Sequence, residues 1–215
     1  KNISFKYKNS EKTLFENLEL KINKGDFMGI VGSSGSGKST LVDVILGLQN
    51  INSGEVLIDN VSIEKLQFYR PNIFGYVPQK IFLFNDTIAQ NIAIGVPPAE
   101  IDRNLVLNSL KRVNLLDHFE QFKGLETELN EMGTNLSGGQ IQRVGIARSL
   151  YFDTSLVVFD ESTNQLDEQN EKIILNLINK LSKEKTVIFI SHKLENLKNC
   201  NRIIKINNGT INEKN

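Results

Sequence analysis

A glycine-rich segment that directly follows a short apolar run constrains the fold of this chain more than any other sequence feature. Residues 32–40 match the pattern G-x-x-x-x-G-K-[ST]. The run Phe27–Val31 before them is continuously apolar, as in a buried parallel strand, and residues 41–48 have helical spacing. Strand, loop and helix in this order form the setting that a phosphate-binding loop requires. This setting disfavours the alternative, a flexible Gly/Ser linker.

Each residue type in this phosphate loop suits the binding of a nucleotide. Glycines let the backbone curl so that its N–H groups converge on phosphate oxygens, and the helix that follows adds the positive end of its dipole. Lys38 is expected to lie between the β- and γ-phosphates, and the Ser39 hydroxyl is expected to bind Mg²⁺. We predict that ATP is held by all the residues of the loop: Gly32, Ser33, Ser34, Gly35, Ser36, Gly37, Lys38, Ser39 and Thr40.

A second buried run ends in two carboxylates. Residues 156–159 are apolar, and Asp160 and Glu161 follow them. A buried strand can deliver an acid from its C-terminal end to the crevice in which open α/β sheets bind ligands. We predict that Asp160 holds Mg²⁺, directly or through water, and that Glu161 orients or deprotonates the attacking water. The alternative is a strand that ends in two solvated acids, and the phosphate loop disfavours it.

Strand and helix patterns alternate along the chain, which predicts an α/β fold with a mostly parallel sheet, as in a P-loop NTPase core. Residues 3–7 and 18–22 alternate with period two and predict antiparallel strands. The middle of the chain loses this character, and its helical spacing predicts an inserted α-helical subdomain. Helices are predicted at 101–113, 115–122, 140–151 and 168–181, strands at 56–58, 187–190 and 203–206, and a hairpin turn at 207–209.

The amino-acid composition of the chain argues against several classes of function. The chain has 25 basic and 25 acidic residues among 215, so no nucleic-acid footprint is expected. Its single Cys200 cannot form an internal disulfide, which favours a reducing, cytosolic setting. No apolar run approaches the roughly 20 residues that span a bilayer. Because the chain starts at Lys1 within a strand pattern and without an initiator Met, we expect it to be a piece of a longer chain.

A second glycine-rich helix start lies at residues 136–140, Leu-Ser-Gly-Gly-Gln. Alone it could be an ordinary loop-to-helix junction with a Ser cap. Between a phosphate loop and an Asp-Glu strand end, however, it resembles the signature of ATP-binding-cassette (ABC) ATPases, and the resemblance extends over residues 5–211. We call residues 136–140 the signature segment.

The resemblance implies a site shared between two copies. In this family two domains pack head to tail, and the signature of one closes over the ATP held by the other. ATP of a second copy would therefore be bound by Ser137, Gly138, Gly139 and Gln140. The family also implies one domain over residues 1–215, with a RecA-like core and β subdomain at 1–88 and 152–215 and a helical subdomain at about 89–151.

Single positions that match the family pattern receive roles from the resemblance alone. Tyr7 corresponds to the aromatic residue that stacks on adenine, although an ordinary strand-face Tyr is the alternative. Gln79 corresponds to the glutamine that contacts Mg²⁺ and the water, and Asp167 to the acid at the dimer seam. His192 corresponds to the histidine at the γ-phosphate. The predicted catalytic residues are thus Glu161, His192, Gln79 and Lys38, and the predicted metal ligands are Ser39, Gln79 and Asp160. His118 lies in a helical run away from these motifs, and we interpret it as a surface or packing residue.

Two further segments resemble the exporter branch of the family. Residues 82–92 are similar to the segment that follows the glutamine in exporters, and the stretch from Thr127 to Gly133 is similar to one that contacts their transmembrane domains. This implies an ATPase at the cytoplasmic face of the cell membrane that docks transmembrane domains through the Gln79 region and this stretch. Residues 92–102 are similar to exporters of lipid-linked sugars or polysaccharides, but the cargo stays open. A non-transport ABC-type ATPase and a nucleotide-dependent regulatory module stay open as alternatives.

Several positions depart from the family pattern. They are Asn130, Met132, Ile141, Asn164 and Gln165. These departures concern the coupling of the ATPase to transmembrane domains and the closure of the dimer. Every predicted catalytic position still carries the residue that the family pattern has there.

Overall fold

The computed structural model describes residues 1–69, 73–130, 136–163 and 166–214. Its strands are β1 (Ile3–Phe5), β2 (Phe15–Leu18), β3 (Phe27–Val31), β4 (Leu57–Ile58), β5 (Val61–Ser62), β6 (Phe74–Val77), β7 (Leu156–Asp160), β8 (Thr186–Ile190), β9 (Arg202–Asn207) and β10 (Thr210–Lys214). Its helices are α1 (Lys38–Ile45), α2 (Ile63–Tyr69), α3 (Ile88–Ile92), α4 (Arg103–Arg112), α5 (Leu116–Glu120), α6 (Gly138–Tyr151) and α7 (Glu168–Leu181). Short 3₁₀ turns lie at Pro98–Glu100, Gly124–Glu126 and Leu194–Leu197.

A six-stranded sheet with the order β10-β9-β3-β8-β7-β6 forms the centre of the fold. Its pairs are parallel except for β9 with β10, which form the predicted hairpin. Successive side chains of β7 contribute to different apolar clusters, because side chains alternate between the faces of a strand. Val157 and Phe159 pack in one cluster with α6 and α7, whereas Val158 packs in the other with α1. Both faces of the strand are therefore covered, which explains its uninterrupted apolar sequence.

The antiparallel part consists of the pairs β1–β2 and β4–β5. The period-two prediction for residues 18–22 was wrong in position, since the strand is Phe15–Leu18. Ile3 pairs with Leu18 and Phe5 with Phe15, so β2 carries one more residue than β1 between these pairs. This bulge coincides with a left-handed backbone at Asn17 (φ 49°). Phe15 and Leu18 both become buried, and the spacing of two is lost.

The helical segments lie mainly between β6 and β7 in chain order, as the fold class predicted. Helix α4 occupies the centre of the predicted helix 101–113, α5 that of 115–122, and α6 begins two residues before position 140. Helix α1 begins directly after the phosphate loop and ends at Ile45, short of the predicted 48. A division into subdomains at about residues 89 and 151 stays a prediction. Among the described residues, none of the helices is both long and apolar enough to cross a bilayer.

Strand β6 approaches α6 most closely at Gly75. A Cβ atom there would lie 2.6 Å from Ser149 Cβ and 3.3 Å from Ser149 Cα, atoms that cannot rotate away. We expect Gly75→Ala to lower the free energy of unfolding by about 1–3 kcal/mol through overpacking, measured by denaturant titration. The control is Asn108→Ala on the exposed face of α4. Equal stability of the two variants would contradict the packing argument.

Candidate functional site

The phosphate loop curls between β3 and α1 as its sequence predicts. Gly37 has φ 106°, a left-handed conformation that costs other residues energy, and it precedes the first residue of α1. A side chain at Gly32 would collide with the backbone, because its Cβ would lie 2.5 Å from the Ile206 carbonyl oxygen. The two glycines therefore permit a tight curl that ends at a helix N-terminus, where the backbone N–H groups have no intrahelical acceptors.

Lys38 fills the inside of this curl. Its Nζ donates to the carbonyl oxygens of Gly32 and Ser33, each at 3.0 Å, and lies 4.0 Å from Glu161 Oε1. The side chain is only 5% exposed, so its charge acts with little screening by water. The loop thus concentrates positive charge on a small polar surface.

The hydroxyl groups of the loop differ in their surroundings. Ser36 Oγ is buried and has no hydrogen-bond partner in the described part of the chain. Buried polar atoms rarely lack partners, so an orphan here is what a site for a polar ligand requires. Ser39 is exposed, and Thr40 Oγ1 lies 2.6 Å from the Tyr7 hydroxyl. These groups fit a bound polyphosphate.

The predicted acids lie at the C-terminal end of β7. Glu161 has a left-handed backbone (φ 49°), and its N–H donates to the Ile190 carbonyl at 3.2 Å. Its Oε1 contacts Nε2 of His192, which lies two residues after β8. The structure therefore brings Glu161, His192 and Lys38 together.

Asp160 contacts a residue that sequence reasoning missed. The Tyr76 hydroxyl donates to Asp160 Oδ2 at 3.2 Å. Burial raises the pKa of Asp160, and the neighbouring Glu161 and Asp43 carboxylates raise it further, against the effect of the Tyr76 bond and Lys38. Burial, together with the Asp160 carboxylate, also raises the pKa of Tyr76. The contact follows from the parallel pairing of β6 with β7, which local sequence patterns do not report.

This donor set fits magnesium. The predicted ligands Ser39 and Asp160 supply a hydroxyl and a carboxylate, the oxygen ligands that Mg²⁺ prefers. Within the described ranges, no group of three or more His, Cys, Asp or Glu side chains could hold a metal ion. A site with few protein ligands suits Mg²⁺ that is held largely by substrate phosphates. A bound Mg²⁺ would also offset the repulsion among the carboxylates of Asp160, Glu161 and Asp43.

The role of Gln79 at Mg²⁺ stays a prediction. Its side chain is exposed, and in the described residues no hydrogen bond joins it to Asp160 or Ser39. Its carbonyl oxygen instead accepts from Gln142 Nε2 at 2.9 Å. Gln142 belongs to α6, so the Gln79 loop is tied to the helix that follows the signature segment. Sequence reasoning did not single out Gln142.

The signature segment forms the N-terminus of α6. Ser137 caps the helix by accepting from the Gln140 N–H at 3.3 Å, and Gln140 Oε1 accepts from the Ser137 N–H at 2.7 Å. This reciprocal capping box fixes the first turn. Gly139 is buried against Asn170, whose Oδ1 would lie 2.1 Å from a Cβ at position 139. Among the described residues, no hydrogen bond or ion pair joins this segment to the phosphate loop of the same chain.

The interpretation of His118 as remote from the motifs was wrong. Its Nδ1 lies 3.3 Å from Nε2 of Gln140, in the signature segment. The contact spans 22 positions and depends on where the tertiary fold places α5, which local sequence patterns do not report.

Asp167 has a local structural task. It is the N-cap of α7 and accepts from the Asn170 N–H at 2.9 Å and from Asn170 Nδ2 at 2.6 Å. The carboxylate is exposed, and these hydrogen bonds lower its pKa. Its predicted place at a dimer seam stays a prediction.

The two exporter-like stretches lie side by side. The Ile88 N–H donates to the Thr127 carbonyl at 2.8 Å, and the Leu129 N–H donates to the Asp86 carbonyl at 2.9 Å. Asn91 folds the first stretch, because it accepts from the Phe84 N–H at 2.8 Å and donates to carbonyls of the same turn. Met132, Asn164 and Gln165 lie outside the described residues.

Comparison with known proteins identifies the family. A family model described as ABC transporter matches residues 15–164. The lipid A-core flippase of Pasteurella multocida (strain Pm70) is 36% identical over 217 residues, which cover 100% of this chain and 37% of the flippase. The alpha-hemolysin translocation ATP-binding protein HlyB of Escherichia coli O157:H7 is 38% identical over 216 residues, which cover 99% of this chain and 30% of HlyB. The chain thus spans about a third of the length of these relatives.

A solved structure confirms the fold. The structure of a bacterial Atm1-family ABC exporter with ATP bound superposes with a TM-score of 0.84 at 34% identity, covering 97% of this chain and 36% of that chain. The α/β fold with a mostly parallel sheet, antiparallel strands and a helical insertion is therefore that of an ABC ATPase. With a family model matched over most of its residues and relatives 36–38% identical along almost its whole length, this chain belongs to the ABC transporter family.

Proposed function

We propose that this chain hydrolyses ATP within an exporter or flippase and that two copies pair head to tail around two ATP–Mg²⁺. One observation carries the proposal: the chain presents a complete phosphate loop and a preorganised signature segment, and no hydrogen bond or ion pair joins the two within the described residues. A capped, glycine-rich helix start is a second anion-binding surface, and one bound ATP does not need two of them. In a pair of chains, the ATP at the phosphate loop of one copy is the ligand of the signature segment of the other copy.

The phosphate loop binds the nucleotide in this proposal. Lys38 exchanges its contacts with the Gly32 and Ser33 carbonyls for phosphate oxygens, while the N–H groups at the start of α1 hold the same phosphates. Tyr7, which is 45% exposed beside the loop, stacks on adenine. Ser39 and Asp160, with Gln79 from the adjacent loop, hold Mg²⁺, which neutralises charge on the phosphates during transfer.

Glu161 and His192 supply the hydrolytic chemistry. Glu161 lies beside Lys38, which in our assignment marks the γ-phosphate end of the nucleotide. Its carboxylate accepts a proton from the attacking water or orients it for in-line attack. His192, held against Glu161, contacts the γ-phosphate. The partner's signature segment completes the enclosure, so its Ser137 hydroxyl and glycine N–H groups stabilise the phosphate from the opposite side.

The exporter-like stretches provide the docking surface for transmembrane domains. Phe82 is 65% exposed and Phe84 53% exposed, while Leu83 between them is buried. They extend beside residues 127–129, which belong to the predicted contact stretch between Thr127 and Gly133. Since the Gln79 loop precedes Phe82 and is bonded to α6, nucleotide closure and this surface are mechanically connected. ATP is a cytosolic nucleotide, which places the chain at the cytoplasmic face of the membrane.

The names of the relatives support ATP-driven export without defining one cargo. A lipid A-core flippase, a putative multidrug export protein of Bacillus subtilis and a hemolysin translocation protein share this sequence pattern. The common property is therefore the ATPase.

A regulatory nucleotide sensor is the rival from another class. Steady ATPase activity that is lost when Lys38 or Glu161 is replaced would exclude such a sensor. Hydrolysis stimulated by nucleic acid would instead favour an ABC-type ATPase that acts on DNA or the ribosome.

Glu161→Gln should trap an ATP-bound dimer, because binding is retained while activation of water is lost. Light scattering with saturating ATP and Mg²⁺ measures the molar mass of the variant in solution and so distinguishes the dimer from the monomer. The control is Glu168→Gln, an exposed acid at the start of α7 paired only locally with Lys172. If the Glu161 variant stayed monomeric under these conditions, the shared-site proposal would fail.

Lys38→Ala should weaken ATP binding by roughly one to two orders of magnitude, the effect of losing charge-assisted hydrogen bonds to phosphate. Titration with a fluorescent ATP analogue measures it. Lys24→Ala, at an exposed turn before β3, serves as the control. Unchanged affinity in the Lys38 variant would show that the nucleotide binds elsewhere.

Ser137→Ala should reduce turnover roughly tenfold while a single copy keeps its affinity for ATP, since Ser137 acts on the partner's nucleotide. The control for loss of a helix cap is Asp102→Ala, at the N-cap of α4. Both variants should lose about 1 kcal/mol of stability, but only the first should lose turnover. Equal turnover in the two would contradict the role of the signature segment.

A further inference from the structure

The His118 ring is held at the signature segment by its own packing. It stands edge-on to Phe119, with ring centroids 5.1 Å apart, and to Phe122 at 5.4 Å. Phe119 is 1% exposed and belongs to the core, so α5 has little freedom to rotate. Arg143, one turn beyond Gln140, donates to the Asn114 carbonyl at 2.8 Å. The segment that leads into α5 is therefore fixed to α6, and His118 faces Gln140 from a rigid element.

The hydrogen bonds around Gln140 have a defined direction. Its Oε1 already accepts from the Ser137 N–H at 2.7 Å, which leaves the amide NH₂ group as the donor toward His118. Nδ1 of His118 then acts as the acceptor at 3.3 Å. An amide that bonds at both ends cannot turn without losing both bonds. The chain of contacts thus runs from α5, through Gln140, to the backbone of Ser137.

We propose that His118 is a positioning residue of the shared site, which fixes the Gln140 amide and through it the orientation of Ser137 toward the ATP of a second copy. The inference rests on the proposed function, since it assigns His118 to the partner's nucleotide and not to the nucleotide of its own chain. Ser137 and Gly138 are exposed, whereas Gly139 packs against Asn170, so the capping box and this bond act on the solvent-facing side of the first turn of α6.

Two substitutions at position 118 separate the hydrogen bond from the packing. His118→Asn keeps an acceptor on Cγ, where Nδ1 stands, but loses the ring. His118→Phe keeps the ring and its contacts with Phe119 and Phe122 but has no acceptor. Glu120→Ala is the control, because Glu120 is exposed and lies on the same helix α5 as His118.

The measurement is steady-state ATP hydrolysis by the purified full-length protein over a range of ATP concentrations, with ATP affinity of a single copy and thermal stability measured in parallel. His118→Phe should lower kcat roughly fivefold, as loss of one positioning hydrogen bond predicts, with unchanged affinity in the single copy. His118→Asn should retain most of the turnover. Glu120→Ala should match the unsubstituted protein.

Each other outcome overturns the inference in a distinguishable way. If Ser137→Ala slows turnover but His118→Phe does not, the positioning role is wrong and the shared site stands. If His118→Asn is as slow as His118→Phe, restoring an acceptor does not rescue turnover, and the hydrogen-bond role of His118 is wrong. If His118→Asn is slow while His118→Phe is not, the ring and not its acceptor matters. If Ser137→Ala itself has no effect, the shared site fails and the role of His118 fails with it.

Discussion

The parallel register of β3, β8 and β7 is the constraint on which the site depends. Ile30 pairs with Ile190, and Ile190 pairs with Asp160, so these residues form one row across the sheet. The phosphate loop begins two residues after Ile30, His192 follows two residues after Ile190, and Glu161 is adjacent to Asp160. Parallel strands deliver all their C-terminal ends to one edge. A slip of one residue would turn these side chains to the opposite face.

Electrostatics then decide what this edge can bind. Lys38 is a buried cation that faces Glu161, while burial and the neighbouring carboxylates raise the pKa of Asp160. The loop and helix end attract phosphate, and the crowded carboxylates favour a divalent cation beside it. A nucleotide with its metal satisfies both sides, whereas either ion alone would leave part of the cluster uncompensated.

The parts of this structure that follow from sequence are those set by local patterns. The apolar runs of β3 and β7 and the helical spacing of α6 and α7 could be predicted because burial on both strand faces, or on one helix stripe, leaves a periodic trace. Strand β6 and helix α3 are only four and five residues long and leave too short a trace. The contacts of Tyr76 with Asp160 and of His118 with Gln140 span 84 and 22 positions. They arise from strand order and helix packing, which no local pattern encodes.

The signature segment shows why a half-site can be stable in a single chain. Its polar groups are bonded within the chain: Ser137 and Gln140 cap each other, and Gln140 reaches His118. The signature segment therefore adopts its shape without a nucleotide. Little conformational entropy of this segment would be lost when it binds the ATP of a second copy. In the proposed pair of chains, preorganisation of this kind would let the binding energy of a shared ATP act on the attachment of the two copies. Because Gln142 connects the same helix to the Gln79 loop, the proposed closure would also displace or restrain the surface around Phe82. Coupling of hydrolysis to the proposed membrane domain would then require only rigid-body motion of α6 and the elements bonded to it.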